Sequence, residues 1–188
     1  MKDQLVQIAD LAAKRNLPFL LVGGHAVILH GVPRFTRDID IMTTDEWRDE
    51  WRELIEDLGY RKFHAVDAFE QFEPDPEQSA TTSRVGIDLM FVDASTWEKL
   101  YPAADDIDLQ PDVRAKIPNV LHLIAMKLNA ARSPHRRIGA TDLSDVIELI
   151  SAAKIDIESS AFREIAERYA SAEDLAAIRD SSIQSETD

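Results

Sequence analysis

Leu21-Val22-Gly23-Gly24-His25-Ala26, followed one short segment later by Arg34-Phe35-Thr36-Arg37-Asp38-Ile39-Asp40-Ile41, is the stretch that decides how this chain is read. Phe19 to Val22 is an apolar run of strand length. The glycine pair then lets the chain turn sharply into a helix over His25 to His30, whose first amides have no partner inside the helix and point outward. Such a helix start attracts phosphate. Asp38 and Asp40 stand one residue apart in a second apolar strand, Asp38 to Met42, so both carboxylates leave the same face of a sheet.

A third acid has the same setting. In Val85-Gly86-Ile87-Asp88-Leu89-Met90-Phe91-Val92, the residues Ile87, Leu89 and Phe91 alternate with Gly86, Asp88 and Met90, which puts Asp88 on the face opposite the large apolar side chains. If the two strands are neighbours, Asp38, Asp40 and Asp88 converge, and three converging carboxylates repel unless cations occupy the space between them. Mg2+ fits, because it takes oxygen ligands, keeps several waters and is commonly shared with substrate phosphates, and a two-ion arrangement is expected, with Mn2+ as a substitute. The plainer readings are an ion pair of Asp38 with Arg34 or Arg37 and a turn cap by Asp40. Those serve for one Asp, but apolar strands disfavour Asp, and three of them in two strands call for a common explanation.

Around this core the periodicities give further elements. Gln4 to Arg15 has one apolar helical face; Thr43-Thr44-Asp45-Glu46 has capping-box spacing before a helix from Trp47 to Leu58; Tyr60 to Val66 reads as an edge strand. Glu70 to Ser83, with two prolines and an acidic bias, reads as a loop beside the site, and Tyr101 to Pro111, carrying Asp105, Asp106 and Asp108, as a link between lobes. Helices follow over Val120 to Ala131, Thr141 to Ala153 and Ser160 to Tyr169, and the polar stretch from Ser171 reads as a short helix ending in an acidic tail. The expected organisation is a catalytic core over 1–110, a helical lobe over 111–170 and a tail over 171–188.

Within the helical part, Lys127 falls on the inward face of its helix and needs either a partner or a route for its stem past the core. Asp142 lies in the first turn of the next helix, where an acid also complements the helix dipole. His25 reads as a solvated first-turn histidine, with a phosphate contact as the alternative.

Composition narrows the function classes. With 21 basic and 35 acidic residues the net charge is -14, which argues against broad nucleic-acid binding. One acid-free window, Val113 to Thr141, holds Arg114, Lys116, Lys127, Arg132, Arg136 and Arg137 and forms a candidate positive patch. The absence of cysteine excludes disulfides, thiolate zinc sites and cysteine nucleophiles, and no apolar run reaches membrane-spanning length, so the expected setting is cytoplasmic.

The residues Gly23-Gly24, Ala26, His30-Gly31, Arg34, Thr36 and Asp38-Ile39-Asp40 resemble the signature of the DNA polymerase β-like nucleotidyltransferases, in particular their AbiEii-like branch. Asp88 resembles that superfamily's third carboxylate, and Leu123-Ile124-Ala125-Met126-Lys127-Leu128 with Thr141-Asp142-Leu143-Ser144-Asp145-Val146 resembles the branch's C-terminal lysine and aspartate motifs. His25 stands where many members have serine, and Thr141 where the branch often has lysine. The resemblance implies an α+β fold, a small mixed β-sheet flanked by helices with a helical C-terminal lobe. It also implies transfer of a nucleoside monophosphate from an NTP. Gly23, Gly24, His25, Arg34, Thr36, Lys127 and Asp142 would then serve the nucleotide, and Asp38, Asp40 and Asp88 the metals and the chemistry. Members of the branch modify RNA, notably tRNA ends, or protein hydroxyls, often as toxins held by an antitoxin. The competing class is a non-catalytic nucleotide-binding or partner-binding module on the same fold, for which three intact carboxylates are unnecessary.

Overall fold

A computed structural model describes residues 2–78, 84–132 and 139–185. The chain divides into two compact units, the first made of residues 1–26 and 35–118 and the second of residues 27–34 and 119–188.

The first unit is organised by alternation. Helix α1 (Lys2–Lys14) precedes the short strand β1 (Leu20–Leu21), helix α2 starts at the glycine pair (Gly23–Leu29), and strand β2 (Asp38–Thr44) follows. After a 3-10 turn at Asp45–Trp47 come helix α3 (Arg48–Asp57), strands β3 (Tyr60–Val66), β4 (Phe69–Pro74) and β5 (Gly86–Val92), and helix α4 (Ala94–Leu100). Strands β1 to β5 form one mixed sheet in the order β1-β2-β5-β4-β3; β2 and β5 run parallel and the other pairs antiparallel. Ile39, Ile41, Ile87, Leu89 and Phe72 bury completely, as do Trp51, Leu54 and Ile55 of α3. Burying the apolar half of each strand leaves the alternate residues, Asp38, Asp40 and Asp88 among them, to the opposite face. Gln4 ties α1 to the sheet: its amide bonds to the Tyr60 hydroxyl and donates to the Val85 carbonyl at 3.1 Å.

Two segments depart from what the sequence predicts. The expected loop from Glu70 contains β4, whose buried positions are Glu70 and Phe72, so one of its two inward side chains is charged and the period of two is hidden. Residues 79–83 of that loop lie outside the described residues. The expected inter-lobe link from Tyr101 is instead the first arm of a hairpin, β6 (Asp105–Gln110) with β7 (Val113–Ile117), turned at Asp112 with φ +66°. Its acids face the basic residues opposite. Asp108 accepts from Arg114 at 2.8 Å and Asp106 pairs with Lys116 at 3.0 Å. The capping box also fails to form: Thr43 donates instead to the Pro18 carbonyl at 3.0 Å, and Thr44 makes no side-chain cap.

Glu70 is held by cations rather than by apolar neighbours. Arg48 donates to it at 2.9 Å, Arg52 donates through both Nε, at 2.8 Å, and Nη2, and Lys62 stands at 3.8 Å. The Arg52 hydrogen bonds, more than the others, hold its carboxyl below the usual range against the opposing effect of burial. The stability this contributes is complete above the unfolded-state carboxyl value near about 4.3 and is lost as pH falls through the lower folded value. Glu70→Gln is therefore expected to unfold at lower urea than the parent at pH 7, by about 3 kcal/mol. The gap should narrow as pH falls through the lowered folded value, where the parent carboxyl becomes neutral as well.

The second unit is helical: α5 (Val120–Ala131), α6 (Gly139–Ala152), α7 (Ser160–Tyr169) and α8 (Ala172–Ser185). Asn119 caps α5 by accepting from the His122 amide at 2.9 Å, and Ser159 caps α7 by accepting from the Phe162 amide at 3.3 Å. Leu123, Ile124, Leu128, Val146, Leu149, Phe162 and Ile178 fill the core between them. The end of the chain is more ordered than its polar composition predicts, with one helix reaching Ser185; residues 186–188 lie outside the described residues.

Candidate active site

Strand pairing assembles the acidic face. Parallel register sets Asp40 directly beside Asp88 and Asp38 beside Gly86, so Asp40 and Asp88 emerge side by side from adjacent strands, with Asp38 two residues along the same face. Asp38 is exposed, while Asp40 and Asp88 are half-buried.

The glycine turn is fitted to this pair. Gly23 sits at φ +58°, and a Cβ placed there would come 2.9 Å from the Asp40 Cβ and closer still to its carboxylate. Only glycine accommodates both demands. The turn is pinned to the same residue, since the Val22 amide donates to the Asp40 carbonyl at 2.9 Å. Thr36, buried, donates its hydroxyl to the Asp38 carbonyl at 3.3 Å and so steadies the entry into β2.

His25 differs from the solvated residue expected of a first helical turn. It is 8 % exposed, packed beside the fully buried Ala26, and its Nε2 has no hydrogen-bond partner among the described residues. Burial pushes its imidazole below the ordinary histidine range, while the nearby Asp38 carboxylate acts in the opposite direction. It is a neutral imidazole at pH 7.

On the other flank of Asp88 stands a residue that sequence patterns do not single out. Gln71 of β4 is in register with Asp88, and its amide nitrogen donates to both carboxylate oxygens, at 3.2 and 3.3 Å. A strand pattern through Phe69 and Phe72 is the available signal, and the charged Glu70 between them masks it.

The remaining expected nucleotide residues gather in the second unit. Lys127 Nζ lies 2.8 Å from Asp142 and 2.7 Å from Asp145, and Arg34 pairs with Asp145. Lys127, Asp142 and Asp145 are all buried, so the inward lysine has found its partners. Lys127→Met would leave two buried carboxylates without their shared cation and is expected to cost about 3 kcal/mol, measured by urea unfolding. Asp145 belongs to the aspartate motif, and only the structure shows it as the shared partner of Lys127 and Arg34. Within the acid-free window Arg114, Lys116 and Lys127 are each paired with acids, and Arg132 donates to the Arg168 carbonyl at 3.1 Å. Arg136 and Arg137 lie outside the described residues.

All the donors on the acidic face are oxygens, the set that hard divalent cations prefer. Among the described residues no group of three or more His, Cys, Asp or Glu side chains is placed to hold a metal ion; what the register brings together is the pair Asp40 and Asp88.

A mixed sheet with paired carboxylates on one face and a glycine turn fitted against them defines the core of a nucleotidyltransferase of the DNA polymerase β-like superfamily. Solved structures share the fold. The antibiotic-resistance factor ANT(2'')-Ia in complex with adenylyl-2''-tobramycin matches with TM-score 0.63 at 18% identity, over 90% of this chain and 98% of that one. The lincosamide antibiotic adenylyltransferase LnuA with lincomycin bound matches with TM-score 0.57 at 17% identity, over 81% and 98%. The polyadenylate synthase of Megavirus matches with TM-score 0.55 at 11% identity, over 81% of this chain and 32% of that one. No curated protein sequence matches the chain. The chain belongs to the family of the nucleotidyl transferase AbiEii toxin of type IV toxin-antitoxin systems, whose family model covers residues 9–187. Among the described residues no helix is long and apolar enough to cross a membrane.

Proposed function

We propose that this nucleotidyltransferase is metal-dependent, using Mg2+ or Mn2+, and transfers a nucleoside monophosphate from an NTP to a hydroxyl of an RNA or protein acceptor, as a toxin whose partner is an antitoxin. The observation that carries the metal and transfer reading is the register pairing of Asp40 with Asp88, with Gly23 packed so closely on Asp40 that no side chain fits.

Asp38 and Asp40 would hold the cations, which when bound neutralise triphosphate charge and favour attack by the acceptor oxygen. The turn at Gly23 and Gly24 brings bare backbone up against this pair, so that the first amides of α2 would lie beside a triphosphate bound there. Asp88, next to Asp40, accepts the proton of the acceptor hydroxyl as its oxygen bonds to the α-phosphorus. The bond from that phosphorus to the β-bridging oxygen breaks, and pyrophosphate departs. In-line positioning and charge neutralisation supply the rate. The resemblance gives Arg34, Lys127 and Asp142 to the nucleotide; their ion pairs hold α5 and α6 together and keep the lysine in place.

The acceptor is the open half of the proposal. The net charge of -14 and the matched basic residues of β7 and α5 favour a small footprint, such as a terminal hydroxyl, over a long nucleic-acid track. Incubation with α-labelled and γ-labelled NTPs, Mg2+ and separate tRNA and protein pools tests the reading. Label from the α-position and none from the γ-position in one pool is expected. Tight NTP binding that ignores Mg2+, with no transfer to any pool, would overturn it in favour of a non-catalytic module.

A further inference from the structure

Resting on the metal-dependent reading above, we infer that Gln71 is a positioning residue for Asp88: its side-chain amide fixes the carboxylate in the orientation that the cation and the acceptor hydroxyl both need.

Strand β5 has two neighbours in the sheet, and each brings one polar side chain level with Asp88: Asp40 from β2 and Gln71 from β4. On the far side of Gln71 the row continues to His64 on the edge strand β3, so the whole face is polar at this level. Asp88 therefore stands between a group of its own charge and a neutral amide. An ionised carboxylate only accepts hydrogen bonds, which requires the amide nitrogen of Gln71 to be the atom facing it. That nitrogen lies 3.2 Å from one oxygen and 3.3 Å from the other, nearly equidistant, an arrangement that holds the plane of the carboxylate rather than engaging a single oxygen.

The residue type matches the task. Lysine or arginine here would neutralise Asp88 and compete with a cation for it; aspartate or glutamate would set a third like charge in the row beside Asp40 and Asp88 and turn the carboxylate away. An apolar side chain would remove this contact from its plane. A neutral donor orients Asp88 without lowering the negative charge that draws the cation. As an ordinary cross-strand pair Gln71 and Asp88 would add little to stability, so a purely structural role and a positioning role separate cleanly in experiment.

Gln71→Met keeps the length of the side chain and removes the donor, and Gln71→Glu keeps the shape and replaces the amide by a like charge. Both are compared with the parent and with Asp88→Ala in full-length protein. The readouts are melting temperature, Mn2+ affinity by electron paramagnetic resonance with α,β-methylene analogues of the four NTPs, and transfer kinetics with α-labelled NTP. We expect Gln71→Met to melt within about 4 °C of the parent. It should bind Mn2+ about tenfold more weakly and lose about tenfold in kcat with the KM for NTP little changed, since the lost contact serves the reacting centre. Gln71→Glu should lose at least as much, and it gives the answer if the methionine variant does not fold. Parent-like Mn2+ affinity and kcat in a folded Gln71 variant, with Asp88→Ala inactive, overturns the positioning role alone. Full transfer by Asp88→Ala overturns the role of Asp88 itself, and transfer by the parent that persists undiminished in EDTA overturns the metal-dependent reading beneath it.

Discussion

Replacing Asp40 by asparagine is expected to reduce nucleotidyl transfer by about 10³-fold or more while the metal-free protein melts within about 4 °C of the parent. Asp40 lies at the centre of the acidic row, with Asp88 in register beside it, Asp38 two residues away on the same face and the Gly23 turn packed on it. Asparagine keeps the shape, and with it the fit under Gly23, but lacks the charge that a hard cation requires. A scaffold role predicts the reverse, a lower melting temperature with activity falling only as far as the folded fraction. Groups placed for chemistry commonly oppose stability, and a half-buried pair of neighbouring carboxylates is such a group. Scanning calorimetry and the α-label assay on the same preparation separate the two roles.

The second large effect is expected at Gly23. Alanine there meets two obstacles at once: a φ of +58°, which costs an L-residue about 1–2 kcal/mol, and the side chain of Asp40, which lies where the new Cβ must go. Asp40 would have to swing away or the turn would have to open, and either movement separates the bare backbone from the carboxylates. Transfer should fall by about 10²-fold or more, in line with the sensitivity of positioned reactants to displacements of about 1 Å. Gly31 supplies the control. It has φ +93°, and a Cβ added there would meet nothing within 4 Å among the described residues, so Gly31→Ala meets the backbone cost without the collision. That variant should lose about 1–2 kcal/mol in urea unfolding and retain transfer. Equal losses of activity at the two glycines would mean that backbone strain, and not the approach to Asp40, sets the requirement for glycine.

The parts of this architecture that can be read from the sequence are those in which apolar period and chemistry agree. Ile39 and Ile41 flank Asp40, and Ile87 and Leu89 flank Asp88; in each strand the buried residues identify the exposed ones, so both strands and the face of their acids follow from alternation. Helix α5 ends where its periodicity ends, and Ser160–Tyr169 is likewise recovered in full. What escapes is structure whose burial is carried by charge. Glu70 is buried while paired with the partly exposed side chains of Arg48 and Arg52, and a period count has no means of treating a glutamate as an interior residue. With β4 unread, Gln71 has no register and no relation to Asp88. The β6–β7 hairpin escapes for a kindred reason, since Asp105, Asp106 and Asp108 give it the composition of a linker while the basic partners of Asp106 and Asp108 stand across the turn. His25 departs from expectation because a polar residue in a first turn is ordinarily solvated, whereas here the surrounding first turn is itself packed inside.

The same distinction bears on the second unit. Lys127 alone could serve a ligand or simply thread past the core; with Asp142 and Asp145 both within 2.8 Å, its charge has a fixed place in the fold whatever it also touches. A role in the reaction therefore has to be separated from the cost of removing a buried cation from between two carboxylates, and Lys127→Met should be judged on folded protein only.

The most direct test of the central claim is a crystal structure of the parent protein soaked with Mn2+ and an α,β-methylene NTP, with anomalous scattering recorded at the manganese edge. Anomalous peaks are expected against the carboxylates of Asp38, Asp40 and Asp88, with the triphosphate running from them to the Gly23 turn. A triphosphate bound away from that turn, with no manganese at Asp40, would contradict the claim.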